Sequence, residues 1–167
     1  MDAELVERAR ALLDLCRAKK LRIAAAESCT GGLVAATLTE IAGSSDVFER
    51  GFVTYSNEAK QAMLGVPAAT LASHGAVSRE TAEAMAKGAL AHAPVELAVS
   101  ITGIAGPGGA VAGKPIGLVH FAAAARSGAL IHRERRYGDI GRAEVRHASV
   151  IEALAMLSEL AAREPLR

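Results

Sequence analysis

The sequence predicts a three-layer α/β/α fold with a mixed, mostly parallel sheet of about five or six strands. Short apolar runs alternate with helical patterns along the 167 residues, which is typical of crossover connections between parallel strands. Glycine-rich loops follow two of these runs, as they do at the ligand-binding strand ends of open α/β sheets. A Ser127-Gly128 turn between two late apolar runs predicts an antiparallel hairpin, so the sheet is expected to be mixed.

The composition indicates one domain, residues 1–167, with a core of small aliphatic side chains. Hydrophobic residues make up 51% of the chain but aromatic residues only 3%, so Ala, Val, Leu and Ile must fill the interior. Domains commonly hold roughly 100 to 200 residues, so a chain of this length can bury a single core. Thin helices packed closely on a sheet suit this composition.

Charge and apolar patterning exclude several classes of partner. The 19 Lys and Arg residues nearly balance the 18 Asp and Glu residues, for a net charge of +1, so nucleic acid is not expected as a partner. No apolar run approaches the roughly 20 residues that cross a bilayer, and residues 1–20 read as an amphipathic helix rather than a signal peptide. Cys16 and Cys29 form neither a disulfide framework nor a metal pattern. We therefore expect no membrane association and a cytoplasmic location.

In the first half of the chain, helical and strand patterns alternate. Apolar residues recur with a 3.6-residue period near the N-terminus. An alanine-rich run then reads as a strand, and Gly43 stops the helix that follows it. A run with Phe, Val, Thr and Tyr reads as a second strand, after which Ser56 can cap a short helix that ends at Gly65. The predicted helices are 2–19, 31–41 and one over Glu58, Lys60 and Met63; the predicted strands are 23–26 and 48–55.

The second half begins with a turn segment that leads to Ser78, which can cap the next helix. The segment 103–115 is too rich in Gly and Pro for a regular element, so it is predicted to be a loop, and loops of this length usually have a function. The remaining predicted elements are strands at 96–102, about 116–125 and 129–137, and a helix at about 142–162.

The segment from Glu27 to Gly32 is the first candidate site, because it lies where a strand turns into a helix. A helix start presents unpaired N–H groups, which can hold a phosphate or a developing oxyanion. Ser28 and Thr30 also have a structural interpretation, as caps that satisfy the same N–H groups. Cys29 is interpreted as a small buried residue, since a thiol without a basic neighbour stays inert.

The segment from Tyr55 to Lys60 is the second candidate site. If Ser56 caps the helix, Lys60 lies near the positive end of the helix dipole, where its ammonium would be easier to deprotonate. A partly desolvated lysine of this kind could accept a proton from a serine hydroxyl. The alternative is a solvated lysine on the surface.

The loop from Thr102 to Lys114 is the third candidate site, since its backbone N–H groups could bind an anion. The alternative is an ordinary surface connection. It lacks the Gly-Lys-Ser/Thr ending of a Walker loop. The histidines show no metal-ligand spacing and are interpreted as structural or surface residues: His74, His92, His120, His132 and His147.

Several motifs in the same order resemble the CinA C-terminal domain family, the nicotinamide-nucleotide amidohydrolases. The resemblance covers nearly the whole chain, which makes it more specific than any lone glycine pattern. The motifs that carry it are Ala26-Glu27-Ser28-Cys29-Thr30-Gly31-Gly32, Ala42-Gly43-Ser44-Ser45, Gly51-Phe52-Val53-Thr54-Tyr55-Ser56-Asn57-Glu58-Ala59-Lys60, His74-Gly75-Ala76-Val77-Ser78 and Thr102-Gly103-Ile104-Ala105-Gly106-Pro107.

The resemblance implies hydrolysis of nicotinamide mononucleotide to nicotinic acid mononucleotide and ammonia, with no metal or organic cofactor. It implies that Ser28 is the nucleophile, Lys60 the general base and Tyr55 a supporting hydroxyl, and that the chain forms a homo-oligomer. We expect the oxyanion to be held by N–H groups near Cys29 to Gly31, and the substrate phosphate by the loop from Thr102 to Gly106 or by Lys114. The residues expected to bind substrate are Cys29, Thr30, Gly31, Gly32, Thr102, Gly103, Ile104, Ala105, Gly106 and Lys114.

Two further expectations concern function. Many CinA proteins carry a large N-terminal domain with a pyrophosphatase-type activity, and since this chain starts at the C-terminal domain, that activity is not expected. The competing hypothesis is a non-catalytic module for nucleotide binding or competence-associated interaction, in which Ser28 is only a helix cap.

Overall fold

Five strands form one mixed sheet in the order β2-β1-β3-β4-β5. The computed structural model describes residues 1–166. Strand β1 is parallel to both β2 and β3, whereas β4 is antiparallel to β3 and to β5. This arrangement confirms the predicted α/β fold and its late hairpin. The strands are β1 (Ile23–Glu27), β2 (Phe48–Val53), β3 (Leu97–Gly103), β4 (Leu118–Ala125) and β5 (Leu130–Arg136).

Among residues 1–166, six α-helices cover the two faces of the sheet and complete three layers. One core cluster joins one face of the sheet to α1, α2 and α6, and a second joins the opposite face to α3, α4 and α5. Strand β1 alternates between them: Ile23 and Ala25 belong to the first cluster, Ala24 and Ala26 to the second. The helices are α1 (Ala3–Lys19), α2 (Leu33–Thr39), α3 (Asn57–Leu64), α4 (Ala68–His74), α5 (Arg79–His92) and α6 (Arg142–Arg163).

Small residues let these layers approach closely, as the composition predicts. The side chains of β4 are all buried. Five of its eight residues are small: Val119 and the four alanines Ala122–Ala125. A Cβ atom added at Gly88 of α5 would lie 2.1 Å from the carbonyl oxygen of Leu64 of α3. Glycine is therefore required where these two helices touch.

The structure corrects several predicted boundaries. The segment predicted to be a turn before Ser78 contains α4, which starts after Pro67, a residue whose fixed φ suits a helix start. Helix α2 begins at Leu33 because Gly31 and Gly32 take positive φ angles of 57° and 103°. Three strands are shorter than predicted: β2 ends at Val53, β4 begins at Leu118, and β5 spans Leu130–Arg136.

Strand order brings three connections to one end of the sheet. The chain leaves β1 toward β2 on one side, and β3 lies on the other side of β1. The carboxyl ends of these three parallel strands therefore lie at the same edge, where α/β proteins bind ligands. Among residues 1–166, no helix is both long enough and apolar enough to span a bilayer.

Candidate active site

A cavity of about 330 Å³ lies at the carboxyl ends of β1, β2 and β3. Ser28 and Cys29 follow β1, Tyr55 follows β2, and residues 102–109 end β3 and continue past it. All three segments that the sequence singles out contribute to its wall. Lys60 and Arg142 are the basic residues of the lining, which contains no Asp or Glu.

Ser28 and Lys60 form a buried pair in this cavity. The Lys60 side chain is 1% exposed and Ser28 is 8% exposed, so the alternative of a solvated surface lysine is wrong. The Nζ atom of Lys60 lies 3.0 Å from Ser28 Oγ and donates to the carbonyl oxygen of Thr54 at 2.9 Å. Ser56 caps α3 by accepting from the N–H of Ala59, as predicted.

The surroundings of Lys60 favour its neutral form. Burial lowers the pKa of Lys60 from its ordinary value of 10.5. No carboxylate of residues 1–166 forms an ion pair with it. A neutral amine has one lone pair and two N–H bonds. With one N–H directed to Thr54, the lone pair can face the Ser28 hydroxyl, which is the geometry that a general base requires.

The backbone N–H groups at the start of α2 are already hydrogen-bonded to a side chain, the carboxylate of Glu27. The buried Glu27 carboxylate accepts from the N–H groups of Val34 at 2.9 Å and Ala35 at 3.1 Å, and from Thr30 Oγ1 at 2.6 Å. These helix N–H groups are therefore not free to hold a phosphate, which corrects one interpretation of this segment. A capping carboxylate before the turn is the signal that the sequence analysis missed.

The turn itself assigns different roles to its polar side chains. Ser28 is not a helix cap, since its hydroxyl pairs with Lys60, and Thr30 supports Glu27. The N–H of Gly31 donates to the carbonyl oxygen of Ser28 at 3.0 Å. The thiol of Cys29 is buried, which confirms its interpretation as a core residue, and burial raises the pKa of this thiol to about 12.

The loop after β3 presents backbone to the cavity. Thr102, Gly103, Ile104, Ala105 and Gly106 all line it. A Cβ atom at Gly103 would lie 2.7 Å from Val119, so glycine is required there. The N–H of Ile104 pairs with Leu118, but no group of residues 1–166 accepts from the N–H of Ala105 or Gly106. Those two donors are available to an anion.

The remaining predicted residues lie elsewhere or act differently. Thr30, Gly31, Gly32 and Lys114 are absent from the cavity lining. The Nζ atom of Lys114 instead donates to the carbonyl oxygen of His74 at 2.5 Å. The second basic residue in the cavity lining, beside Lys60, is not Lys114 but a residue that the sequence analysis did not select.

That residue is Arg142, the first residue of α6. Its guanidinium donates to the carbonyl oxygen of Gly106 at 2.9 Å and to the hydroxyl of Tyr55 at 2.8 Å. Tyr55 is 63% exposed and contacts Arg142 rather than Lys60. Asn57 also lines the cavity; it lies inside the second candidate segment but was not selected as a site residue. No local pattern marks Arg142, because only the packing of α6 beside the sheet brings it to the cavity.

A metal centre is not apparent in this part of the molecule. Within the described chain, no group of three or more His, Cys, Asp or Glu side chains is arranged to hold a metal ion. The chemistry that the arrangement offers is proton transfer between a hydroxyl and an amine beside two backbone donors and a guanidinium.

Comparison with known proteins places this arrangement in a family. The profile of the CinA C-terminal domain matches residues 6–161. This chain belongs to the CinA C-terminal domain family. The match contains the Ser28–Lys60 pair, the loop after β3 and Arg142.

Relatives of the CinA family differ in length. Nicotinamide-nucleotide amidohydrolase PncC of Escherichia coli K12 is 50% identical over 157 residues, which are 93% of this chain and 94% of PncC. A CinA-like protein of Geobacter sulfurreducens is 48% identical over 88% of this chain, which spans only 35% of that protein. The crystal structure of competence/damage inducible protein CihA from Agrobacterium tumefaciens has a TM-score of 0.94 and 55% identity, and covers 96% of this chain and 97% of CihA.

Proposed function

We propose that this chain hydrolyses the carboxamide of nicotinamide mononucleotide to nicotinic acid mononucleotide and ammonia. The buried pair of Ser28 and Lys60, 3.0 Å apart in an open cavity, is the observation that carries the proposal. The substrate class comes from the name of the relative PncC, which aligns over 93% of this chain. A cavity of about 330 Å³ is within the range of small-ligand sites.

The first half of the reaction forms an acyl-enzyme. Neutral Lys60 takes the proton of the Ser28 hydroxyl as Oγ attacks the carboxamide carbon, which gives a tetrahedral oxyanion. The ammonium of Lys60 retains the Thr54 carbonyl as an acceptor. When the intermediate collapses, the C–N bond breaks, and the amide nitrogen takes the proton from Lys60 and leaves as ammonia. The nicotinoyl group is then esterified to Ser28.

Water completes the hydrolysis in the second half. Lys60, neutral again, takes a proton from a water molecule that adds to the ester carbonyl. The bond from carbon to Oγ breaks, the proton on Lys60 returns to Ser28, and the product leaves as a carboxylic acid that releases its own proton to solvent. Both halves use Lys60 as the base, first for the Ser28 hydroxyl and then for water.

The oxyanion requires N–H donors close to Ser28. The N–H of Gly31 is engaged with the carbonyl oxygen of Ser28. We therefore assign this role to the N–H of Cys29, which lines the cavity, together with the N–H of Thr30, which follows it in the same turn and has no acceptor among residues 1–166. Thr30 thus contributes its backbone, while its side chain faces Glu27.

The substrate phosphate requires a cation and further donors. We assign it to Arg142 with the N–H groups of Ala105 and Gly106, because Arg142 lines the cavity and Lys114 does not. A guanidinium matches the geometry of phosphate oxygens. Tyr55 would then act by orienting Arg142 through its hydroxyl rather than by touching Lys60.

An assay of ammonia release from nicotinamide mononucleotide, with Ser28→Ala beside the unaltered protein, tests the proposal. We expect turnover in the unaltered protein and none above background in folded Ser28→Ala, whose loss of one hydroxyl costs about 0.5–2 kcal/mol of stability. Turnover retained in folded Ser28→Ala would remove Ser28 as the nucleophile.

The second candidate function is a non-catalytic module, which the word competence in the name of CihA suggests. It predicts that the unaltered protein and Ser28→Ala both bind the nucleotide and that neither releases ammonia. Lys60 is buried next to a hydroxyl and has no carboxylate partner among residues 1–166, which favours the enzyme, since such a lysine costs stability and needs a functional reason. Homo-oligomer formation and a cytoplasmic location stay predictions.

A further inference from the structure

Arg146 of α6 holds the back of the turn that carries Ser28. Its Nε atom donates to the carbonyl oxygen of Cys29 at 3.2 Å, and its Nη2 atom donates to that of Thr30 at 3.3 Å. The side chain is half-buried and lies four residues after Arg142, on the same face of the helix. Helix α6 therefore directs one arginine to the cavity and a second to the turn behind it.

Each of these two carbonyls shares a peptide unit with an N–H group of the turn. The carbonyl of Cys29 belongs to the same peptide as the N–H of Thr30, which has no acceptor among residues 1–166. The carbonyl of Thr30 belongs to the same peptide as the N–H of Gly31, which closes the turn on Ser28 at 3.0 Å. A hydrogen bond accepted at one end of a peptide polarises it, so the N–H at the other end becomes a stronger donor.

The positive charge behind the turn is permanent. A guanidinium stays protonated throughout the pH range in which Lys60 could titrate. Glu27 already holds the start of α2 from the other side, so the helix does not depend on Arg146 for its cap. The two contacts of Arg146 fall instead on the peptides between Cys29 and Gly31, beside the nucleophile.

We propose that Arg146 is a positioning residue that polarises the peptide between Cys29 and Thr30 and so strengthens the Thr30 N–H as a donor to the reaction oxyanion. The inference rests on the proposed function, because it assigns a transition-state role. Its effect is small while the substrate carbonyl is neutral and grows as negative charge develops on the oxygen. Loss of Arg146 should therefore lower kcat and leave KM nearly unchanged.

Steady-state ammonia release by Arg146→Ala and Arg146→Lys tests the inference. Removing one oxyanion donor outright costs roughly 100- to 1000-fold in kcat, so weakening one should cost about 10- to 100-fold in Arg146→Ala. Arg146→Lys keeps the charge but not the paired donors, and should fall between. Added guanidinium at sub-denaturing concentration should restore part of the kcat of Arg146→Ala. The pH midpoint that reports Lys60 should not move.

Arg163→Ala is the matched control, since Arg163 also lies on α6 but pairs with Glu159 at the far end of the helix. Its kcat should equal that of the unaltered protein and should not respond to guanidinium. If Arg146→Ala fails to fold, as circular dichroism would report, Arg146→Lys and Arg146→Gln supply the same comparison.

The outcomes separate this inference from the function on which it rests. An active unaltered protein with unchanged kcat in folded Arg146→Ala overturns the role of Arg146 and leaves the amidohydrolase proposal standing. A rise in KM alone, or a loss of kcat that guanidinium never restores, also overturns it. Absence of ammonia release from the unaltered protein overturns both.

Discussion

The amine of Lys60 lies 3.0 Å from the hydroxyl of Ser28, although 32 residues separate them in the chain. Ser28 follows β1, and Lys60 lies in the first helix after β2. The two meet because β1 and β2 are adjacent and parallel, so that their carboxyl ends share one edge of the sheet. Both side chains are buried, so this is not a surface contact, and we propose that it serves proton transfer.

Lys60→Arg is expected to lose turnover as fully as Lys60→Ala. A guanidinium keeps the positive charge but cannot give up its proton near neutral pH, so it cannot act as the base. Steady-state kinetics of the two variants give the comparison, and loss of a general base typically costs about 100- to 10,000-fold in rate. Near-normal turnover in Lys60→Arg, with a change mainly in apparent affinity, would contradict the assignment of Lys60 as base.

The stability of the protein should depend on pH through Lys60. Because burial lowers the pKa of folded Lys60 below 10.5, the unfolded chain binds more protons at pH values below 10.5. The free energy of unfolding should therefore rise, relative to Lys60→Met, as pH increases from neutral toward 10.5. Urea unfolding of both proteins across this range measures the difference. Lys87→Met, at an exposed position of α5, is the control. The prediction would be contradicted if the difference in the free energy of unfolding between the unaltered protein and Lys60→Met did not change with pH.

Arg142→Ala should weaken recognition of the substrate phosphate. Charge-assisted hydrogen bonds contribute about 1.5–3 kcal/mol, so KM for nicotinamide mononucleotide should rise about 10- to 100-fold. Nicotinamide riboside lacks the phosphate, so the kcat/KM for this substrate should be nearly equal in Arg142→Ala and the unaltered protein. An equal loss with both substrates would show that Arg142 does not act through the phosphate.

Glu27→Gln should destabilise the fold. The amide group of glutamine would place a donor against the N–H of Ala35 or Val34, in a buried position where both carboxylate oxygens now accept. An unsatisfied buried donor costs about 1–3 kcal/mol, which urea unfolding would detect. Glu40→Gln removes an exposed carboxylate next to the other end of α2 and should change little. Equal unfolding midpoints for the two variants would mean that Glu27 does not hold the helix start.

Incubation with a strong chelator should leave the rate of ammonia release unchanged. Serine–lysine catalysis requires no metal, and the described residues contain no cluster suited to one. Loss of activity that a single added metal restores would contradict the proposed chemistry.

Local patterns in the sequence predicted most helices and strands and some of their caps and core-facing sides. The apolar period of α1 and the hairpin at Ser127-Gly128 depend on neighbours within a few residues. Ser56 and Ser78 were identified as caps for the same reason, since a cap acts within one helical turn. Where glycine or proline could either break or begin a helix, as around α4, local patterns gave the wrong boundary.

The sequence by itself determined the α/β class, the order of most elements and three of the segments that line the cavity. Only the tertiary structure decided that Glu27 fills the start of α2, that Arg142 rather than Lys114 lines the cavity, and that Tyr55 contacts Arg142. Those contacts join residues 7 to 87 positions apart. They depend on which strands are neighbours and how α6 packs beside them, and no periodicity within one element encodes either.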